Sequence, residues 1–171
     1  AASDVYKRQP LAFGESVMKG AVPQLQAGGF TVIAEESKQG SWIAETIGIM
    51  RAGGQIGQVV VIQTGTNGPV FDETFDQIMS FLPANEVPQV VFLTVHADRN
   101  YIDDNNTRIW NLPGRYPHVT VLDWDGLVKQ GVVPGMCRDG VHLCEKSAKQ
   151  FYANYIFGVI GRNDLIQPLP E

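Results

Sequence analysis

Several features that would settle the class of a protein at once are scarce or missing here. There are only two cysteines, Cys137 and Cys144, seven positions apart. Two thiols cannot complete a four-ligand zinc site alone, and the spacing is not C-x-x-C. They are either buried free thiols or a short local disulfide, and a disulfide requires an oxidising compartment. Basic residues are not in excess: 13 Lys and Arg stand against 18 Asp and Glu, a formal net charge of -5. That argues against nucleic acid or an anionic membrane as the main partner. No apolar run approaches the ~18–20 residues of a membrane helix. The opening "AASDVYKRQ" has no apolar h-region, so residues 1–9 read as a tail or linker and not as a secretory signal. Internal repeats and low-complexity tracts are also absent.

What is present is a globular composition, 44% hydrophobic and 18% charged over 171 residues, enough for one domain with a core and short for two. Residues 10–171 are therefore expected to form a single domain. Apolar runs alternate with helix-like segments. The predicted strands are "LAF" (11–13), "FTVIAE" (30–35), "QVVVIQT" (58–64), "QVVFLTV" (89–95) and "HVTVLDW" (118–124). Three are β-branched and nearly continuous in hydrophobicity, as strands buried on both faces of a parallel sheet must be. Helices are predicted over about 17–27, 41–53, 71–82, 103–112 and 145–161. The βαβα rhythm gives an α/β fold: a three-layer α/β/α sandwich on a mostly parallel, flavodoxin-like five-stranded sheet. Ligands of such sheets bind at the carboxyl ends of the strands. No Gly-rich phosphate loop with a lysine follows a strand, so a nucleotide binder of this architecture is disfavoured.

Three strand ends carry chemistry. Gly14-Glu15-Ser16 follows the first strand, "TGTNGP" with Asn67 the third, and "CRDGVHLC" with Asp139 and His142 precedes the last helix. Singly, each has an ordinary reading: Ser16 as a helix N-cap, Asn67 as a turn residue, Asp139 as a cap and His142 as a structural histidine. Together they supply what acyl transfer needs. A serine hydroxyl requires a base, and a histidine can be that base when an acid fixes its tautomer. Asp139 and His142 lie three apart and can face each other on one turn. The Ser16 amide and the Asn67 side-chain amide could serve as oxyanion donors. The G-x-S-x-G elbow is missing, because Met18 stands where its second glycine would be.

"GESVM", "GTNG" and "DGVHL", in this order, resemble the blocks of the SGNH (GDSL-like) hydrolase superfamily. They are most similar to the extracytoplasmic C-terminal SGNH domain of membrane-bound acyltransferase-3 proteins, which O-acetylate peptidoglycan or other surface glycans. The likeness extends through "AEESKQGSW" and "FLTVHADRNYIDDNN" to about residues 10–160. It implies Ser16 as nucleophile, Asn67 as oxyanion asparagine, and Asp139 with His142 as the Asp-x-x-His pair. Glu15 stands where the family has aspartate, a change expected to alter local packing more than activity. The block II glycine is not cleanly present; Ser37 or Gly40 could fill its place as a further oxyanion donor. "HADRNY" keeps only Arg99 of the family's Val-x-Arg-x-Trp, a departure that bears on the acceptor surface.

The resemblance also implies an extracytoplasmic location, where a Cys137–Cys144 disulfide would staple the loop carrying Asp139 and His142. It implies no metal or cofactor, an acyl donor delivered by a membrane acyltransferase domain, a glycan acceptor, no nucleic acid, and a monomer as an isolated domain. The expected activity is serine-dependent O-acetyl transfer to a surface polysaccharide. A stand-alone carbohydrate or lipid esterase and a non-catalytic glycan-binding module are the alternatives. His96 and Arg99 read as surface residues near the site rim, and Trp42, Trp110 and Trp124 as core or groove packing. Asp123 and Asp125 could suggest a glycosidase, but no second acid is placed to partner them.

Overall fold

A computed structural model describes residues 9–171. The tail expected over residues 1–9 lies almost wholly outside the described residues. Five strands form one sheet: β1 (Leu11–Gly14), β2 (Thr31–Ala34), β3 (Val59–Gln63), β4 (Gln89–Leu93) and β5 (Val119–Leu122). All neighbours pair in parallel, in the order β2-β1-β3-β4-β5. The side-chain period of two explains why these strands read as unbroken apolar runs. Leu11, Phe13, Val60, Ile62, Val90 and Phe92 face one layer of helices. Ala12, Val61, Val91 and Leu93 face the other. In the central strands β1, β3 and β4 nearly every residue is buried on both faces, whereas the edge strands β2 and β5 are partly open, with Thr120 exposed.

The first layer is built by α3 (Gly40–Ala52), α4 (Asp72–Ser80) and α5 (Ile102–Arg115), through Ile43, Ile47, Phe75, Ile78, Ile109 and Leu112. The second holds α1 (Ser16–Lys19), α2 (Val22–Ala27), α6 (Trp124–Lys129) and α7 (Lys146–Val159), with Met18, Leu25, Trp124, Tyr152 and Phe157 in its core. Three boundaries differ from expectation. The helix predicted over 17–27 breaks into α1 and α2, with Pro23 in the first turn of the second. Pro113 does not stop α5, which continues to Arg115; only Gly114 and Arg115 follow it, so the lost hydrogen bond and the ring's clash with the preceding turn fall on the last turn of the helix. Trp124 was predicted as strand, yet β5 ends at Leu122. Asp123 then caps α6, its Oδ1 accepting from the Gly126 amide at 3.1 Å.

The order of strands reverses between β1 and β3: the chain leaves β1 toward β2 on one side and returns to β3 on the other. A crevice opens at such a switch point, outside the carboxyl ends of the strands. The loops after β1 and β3 meet there.

Candidate active site

Ser16 is the first residue of α1, directly after Gly14 ends β1. A Cβ on Gly14 would lie 2.5 Å from Met18 Cβ, so only glycine lets the strand turn this sharply into the helix. His142 and Asp139 arrive on the loop before α7. Met136 bridges Leu143 in antiparallel fashion, the Cys137 amide donates to His142 O at 2.9 Å, and Cys137 and Cys144 form a disulfide with Cα atoms 4.9 Å apart. The loop is therefore closed from both sides around the two residues. Leu143 is buried, and an added Cβ on Gly20 would stand 3.5 Å from its Cβ. That packing carries the loop against the corner between α1 and α2.

These elements bring together two side chains 126 positions apart. His142 Nδ1 lies 2.6 Å from Asp139 Oδ2. An ionised carboxylate only accepts, so Nδ1 carries the hydrogen and Nε2 is left as acceptor. Ser16 Oγ stands 3.0 Å from that Nε2 and donates to it. The other carboxylate oxygen, Asp139 Oδ1, accepts the amides of Val141 at 2.9 Å and His142 at 3.0 Å. The hydrogen bond from His142, together with these amides, holds the Asp139 carboxyl down at about 2. Asp139 is thus a fixed, ionised acceptor at neutral pH.

The Asn67 loop is held from three directions. From α5, the buried Asn105 donates Nδ2 to the carbonyls of Gly65 and Gly68, both at 2.9 Å, and accepts the Val70 amide at 2.8 Å. The Tyr101 hydroxyl donates to Thr66 O at 2.8 Å. From the turn after β2, Gln39 Nε2 donates to Asn67 O at 3.1 Å, and Asn67 Nδ2 donates to Lys38 O at 2.9 Å. A primary amide has two hydrogens, so the second on Nδ2 remains for another acceptor. The turn expected to supply Ser37 or Gly40 thus reaches Asn67 through Lys38 and Gln39. Ser37 is exposed at φ 60°, and Gly40 is buried at the first residue of α3. Neither hydrogen-bonds to Ser16, Asn67 or His142 among the described residues.

Glu15 sits beneath this arrangement with no exposed surface. Its carboxylate accepts the amides of Gly65 at 2.6 Å and Thr66 at 3.2 Å. Burial pushes its carboxyl from the ordinary 4.5 up to about 7, against the opposing pull of the Gly65 and Thr66 amides. Tyr152 of α7, buried nearby, is pushed well above its ordinary value by burial and by the Glu15 charge.

A cleft of about 410 Å³ opens beside the serine–histidine pair, lined by Thr66, Asn67, Asp98, Arg99, Tyr101, Asp139 and His142 among others. Arg99, expected as a surface residue near the site rim, is exposed and belongs to this lining. His96 does not line it; Nδ1 pairs with Asp125 Oδ1 at 2.8 Å, and Lys129 Nζ takes the other oxygen at 2.8 Å. Asp123 is spent on capping α6 and on the Thr94 hydroxyl, so the glycosidase idea loses both its carboxylates. Trp124 is buried against Tyr152, Trp42 packs at the edge of the core, and Trp110 is half-exposed. Sequence reasoning missed Gln63, Tyr101 and Asn105. The available signals were a glutamine closing the apolar run "VVVIQ" and a pair of asparagines, 105 and 106, on the buried side of an amphipathic helix.

No protein-family model and no curated protein matches this sequence. Solved structures do match. The C-terminal catalytic domain of peptidoglycan O-acetyltransferase A (OatA) from Streptococcus pneumoniae, with a methylsulfonyl adduct, superimposes with a TM-score of 0.78 at 21% identity, over 96% of this chain and 98% of that one. A GDSL-like lipase from Bacteroides thetaiotaomicron gives 0.60 at 18% identity, over 94% and 89%. The esterase EstA from Pseudoalteromonas, inhibited by monoethylphosphonate, gives 0.68 at 12% identity, over 90% and 96%. The fold is that of the SGNH hydrolases. Within the SGNH fold, Ser16 follows the first strand, Asn67 the third, and Asp139 and His142 lie on the loop before the last α-helix, all at one end of the sheet.

Proposed function

We propose that this chain is a serine-dependent acyl-transfer enzyme that O-acetylates hydroxyls of a cell-surface polysaccharide, such as peptidoglycan, through an acyl-enzyme on Ser16. The observation that carries this reading is the unbroken chain Ser16 Oγ, His142 Nε2, His142 Nδ1, Asp139 Oδ2. His142 takes the Ser16 proton as Oγ attacks the acetyl carbonyl. The tetrahedral oxyanion is met by the Ser16 amide and the remaining Asn67 side-chain hydrogen, and His142 returns the proton to the leaving group. A glycan hydroxyl, deprotonated by the same histidine, then takes the acetyl group and restores Ser16. Asp139 stays ionised throughout and balances the imidazolium.

The hydrogen-bonding side chains Asn67, Asp98, Arg99 and Tyr101 in the lining of the cleft favour a hydroxyl-rich acceptor over a lipid chain. The likeness to an O-acetyltransferase domain supports the same choice, and the disulfide supports an oxidising, extracytoplasmic location. Among the described residues no helix is long and apolar enough to cross a membrane; the acyl donor would come from a membrane acyltransferase domain. The test is release of p-nitrophenol from p-nitrophenyl acetate by wild type and Ser16→Ala, with and without a glycan oligomer. We expect a loss of about 10³-fold or more in the variant, and acetylation of the oligomer by wild type. Turnover without oligomer acetylation would make the protein an esterase. Equal background rates in both proteins would leave only the glycan-binding module.

A further inference from the structure

The helix that carries Ser16 has no cap of its own. Glu15 occupies the N-cap position of α1, yet its side chain makes no capping bond. The cap comes from β3 instead: Gln63 Oε1 accepts the Glu15 amide at 3.0 Å and the Met18 amide at 3.3 Å. Among the described residues the Ser16 amide, lying between these two, has no acceptor. Gln63 Nε2 meanwhile donates to Thr66 Oγ1 at 3.2 Å. Glu15 crosses in the other direction, from the end of β1 to the Gly65 and Thr66 amides after β3. Gly14 and Gln63 are direct partners in the parallel register, so the two side chains leave adjacent strand ends and each holds the loop of the other.

We propose that Glu15 and Gln63 form a reciprocal clasp of positioning residues, which fixes the nucleophile turn against the Asn67 loop and keeps the Ser16 amide open for the oxyanion. The inference rests on the acyl-enzyme reading of Ser16. Two consecutive amides, Gly65 and Thr66, point at one carboxylate, with Gly65 at φ 117°. Successive backbone amides of this kind make a site for an anion, and above about pH 7, where Glu15 is ionised, its carboxylate offers an acceptor to each. A glutamine of equal size would face one of the two amides with its own NH₂. On the other side, only an amide side chain can accept from the helix with its oxygen and donate to Thr66 with its nitrogen. Both side chains are buried, Glu15 at 0% and Gln63 at 2% exposure, so neither bond is exchanged for water. The clasp ties the Ser16 turn directly to the Asn67 loop, in addition to the bonds that Asn105, Tyr101 and Gln39 make to that loop.

The test compares wild type, Glu15→Gln, Glu15→Asp, Gln63→Met, Thr66→Val and Ser16→Ala on p-nitrophenyl acetate, with thermal unfolding recorded for each. A shift of about an ångström at a reacting group costs roughly 10²-fold. We expect kcat to fall about 10–100-fold in Glu15→Gln and about tenfold in Gln63→Met, with KM within about twofold of wild type. Glu15→Asp restores the charge and should recover part of the loss. Thr66→Val removes one bond of the clasp at nearly constant volume, and should lower kcat a few-fold; it carries the test if Gln63→Met does not fold. Wild-type kcat in Glu15→Gln and Thr66→Val, beside an inactive Ser16→Ala, would overturn the clasp and leave the acyl-enzyme reading standing. Full activity in Ser16→Ala would overturn both.

Discussion

Glu15 precedes Ser16 and Asp139 bonds the His142 ring, and each carboxylate accepts two backbone amides in a loop of the site. Their surroundings push them apart. Asp139 is about half-exposed, faces the His142 ring and is held down at about 2; Glu15 has no exposed surface and is pushed up to about 7. Equal hydrogen bonding to amides is thus outweighed by desolvation in one place, and reinforced by an imidazole in the other. The exposed acid orients an imidazole, and in the proposed mechanism it would balance the imidazolium charge. The buried one is positioned to hold a loop, and it carries a standing cost when ionised.

The largest test of this contrast is Asp139→Asn. The amide can no longer select the productive histidine tautomer, and kcat should drop by about 10³–10⁴-fold; a loss under tenfold would remove Asp139 from the mechanism. On the Glu15-held loop, Asn67→Ala should lower kcat by about 10²–10³-fold with little change in KM, as loss of one oxyanion donor does. Steady-state kinetics on the same acetate ester reads both.

Stability sharpens the contrast further. The folded carboxyl of Glu15 titrates near 7, above its ordinary 4.5, so the native state binds the extra proton between these values. Stability from this group is full below about 4.5 and falls as pH rises through about 7, by about 3 kcal/mol. Asp139 has the opposite sign: its contribution is present above 3.8 and disappears as pH falls toward 2. Urea unfolding between pH 4.5 and 8 should show the wild-type decline and its absence from Glu15→Gln; parallel curves would refute the buried-acid account. The smallest effect belongs to the staple. Replacing both Cys137 and Cys144 by serine should cost about 2.5 kcal/mol from loop entropy. It should also slow turnover more than it slows in a control reduced and re-oxidised, since the loop carries Asp139 and His142.

Much of the site was legible because its chemistry is written in residue type and order. Ser16 and Asn67 follow the ends of predicted strands and Asp139 and His142 precede the last predicted helix, and together they offer a nucleophile, a donor, an acid and a base. Gln63 was not legible. As the last residue of "VVVIQ" it reads as a strand end, and its role depends on a neighbour 48 positions away. Asn105 likewise reads as a polar residue on α5 until the loop at Gly65–Val70 is laid across it. An aromatic after "VTVLD" fits a strand, so Trp124 reads as part of β5; the capping bond from the Gly126 amide to Asp123 places it in α6 instead. In sequence Glu15 reads as a local packing change; the segment it packs against is seen only in the fold, where its carboxylate accepts the Gly65 and Thr66 amides of the Asn67 loop.

By itself the sequence determined the sandwich and its core, because the nearly continuous apolar runs of the central strands can exist only where both faces are covered. It also determined which groups could take part in acyl transfer, since that depends on functional groups and on their order along strand ends. Tertiary structure alone decided which amides remain open, which carboxylate is costly to ionise, and how two residues 126 positions apart come within 3.0 Å. Desolvation and hydrogen-bond geometry are set by whatever segment packs alongside, and at this site nearly every such segment comes from a distant part of the chain.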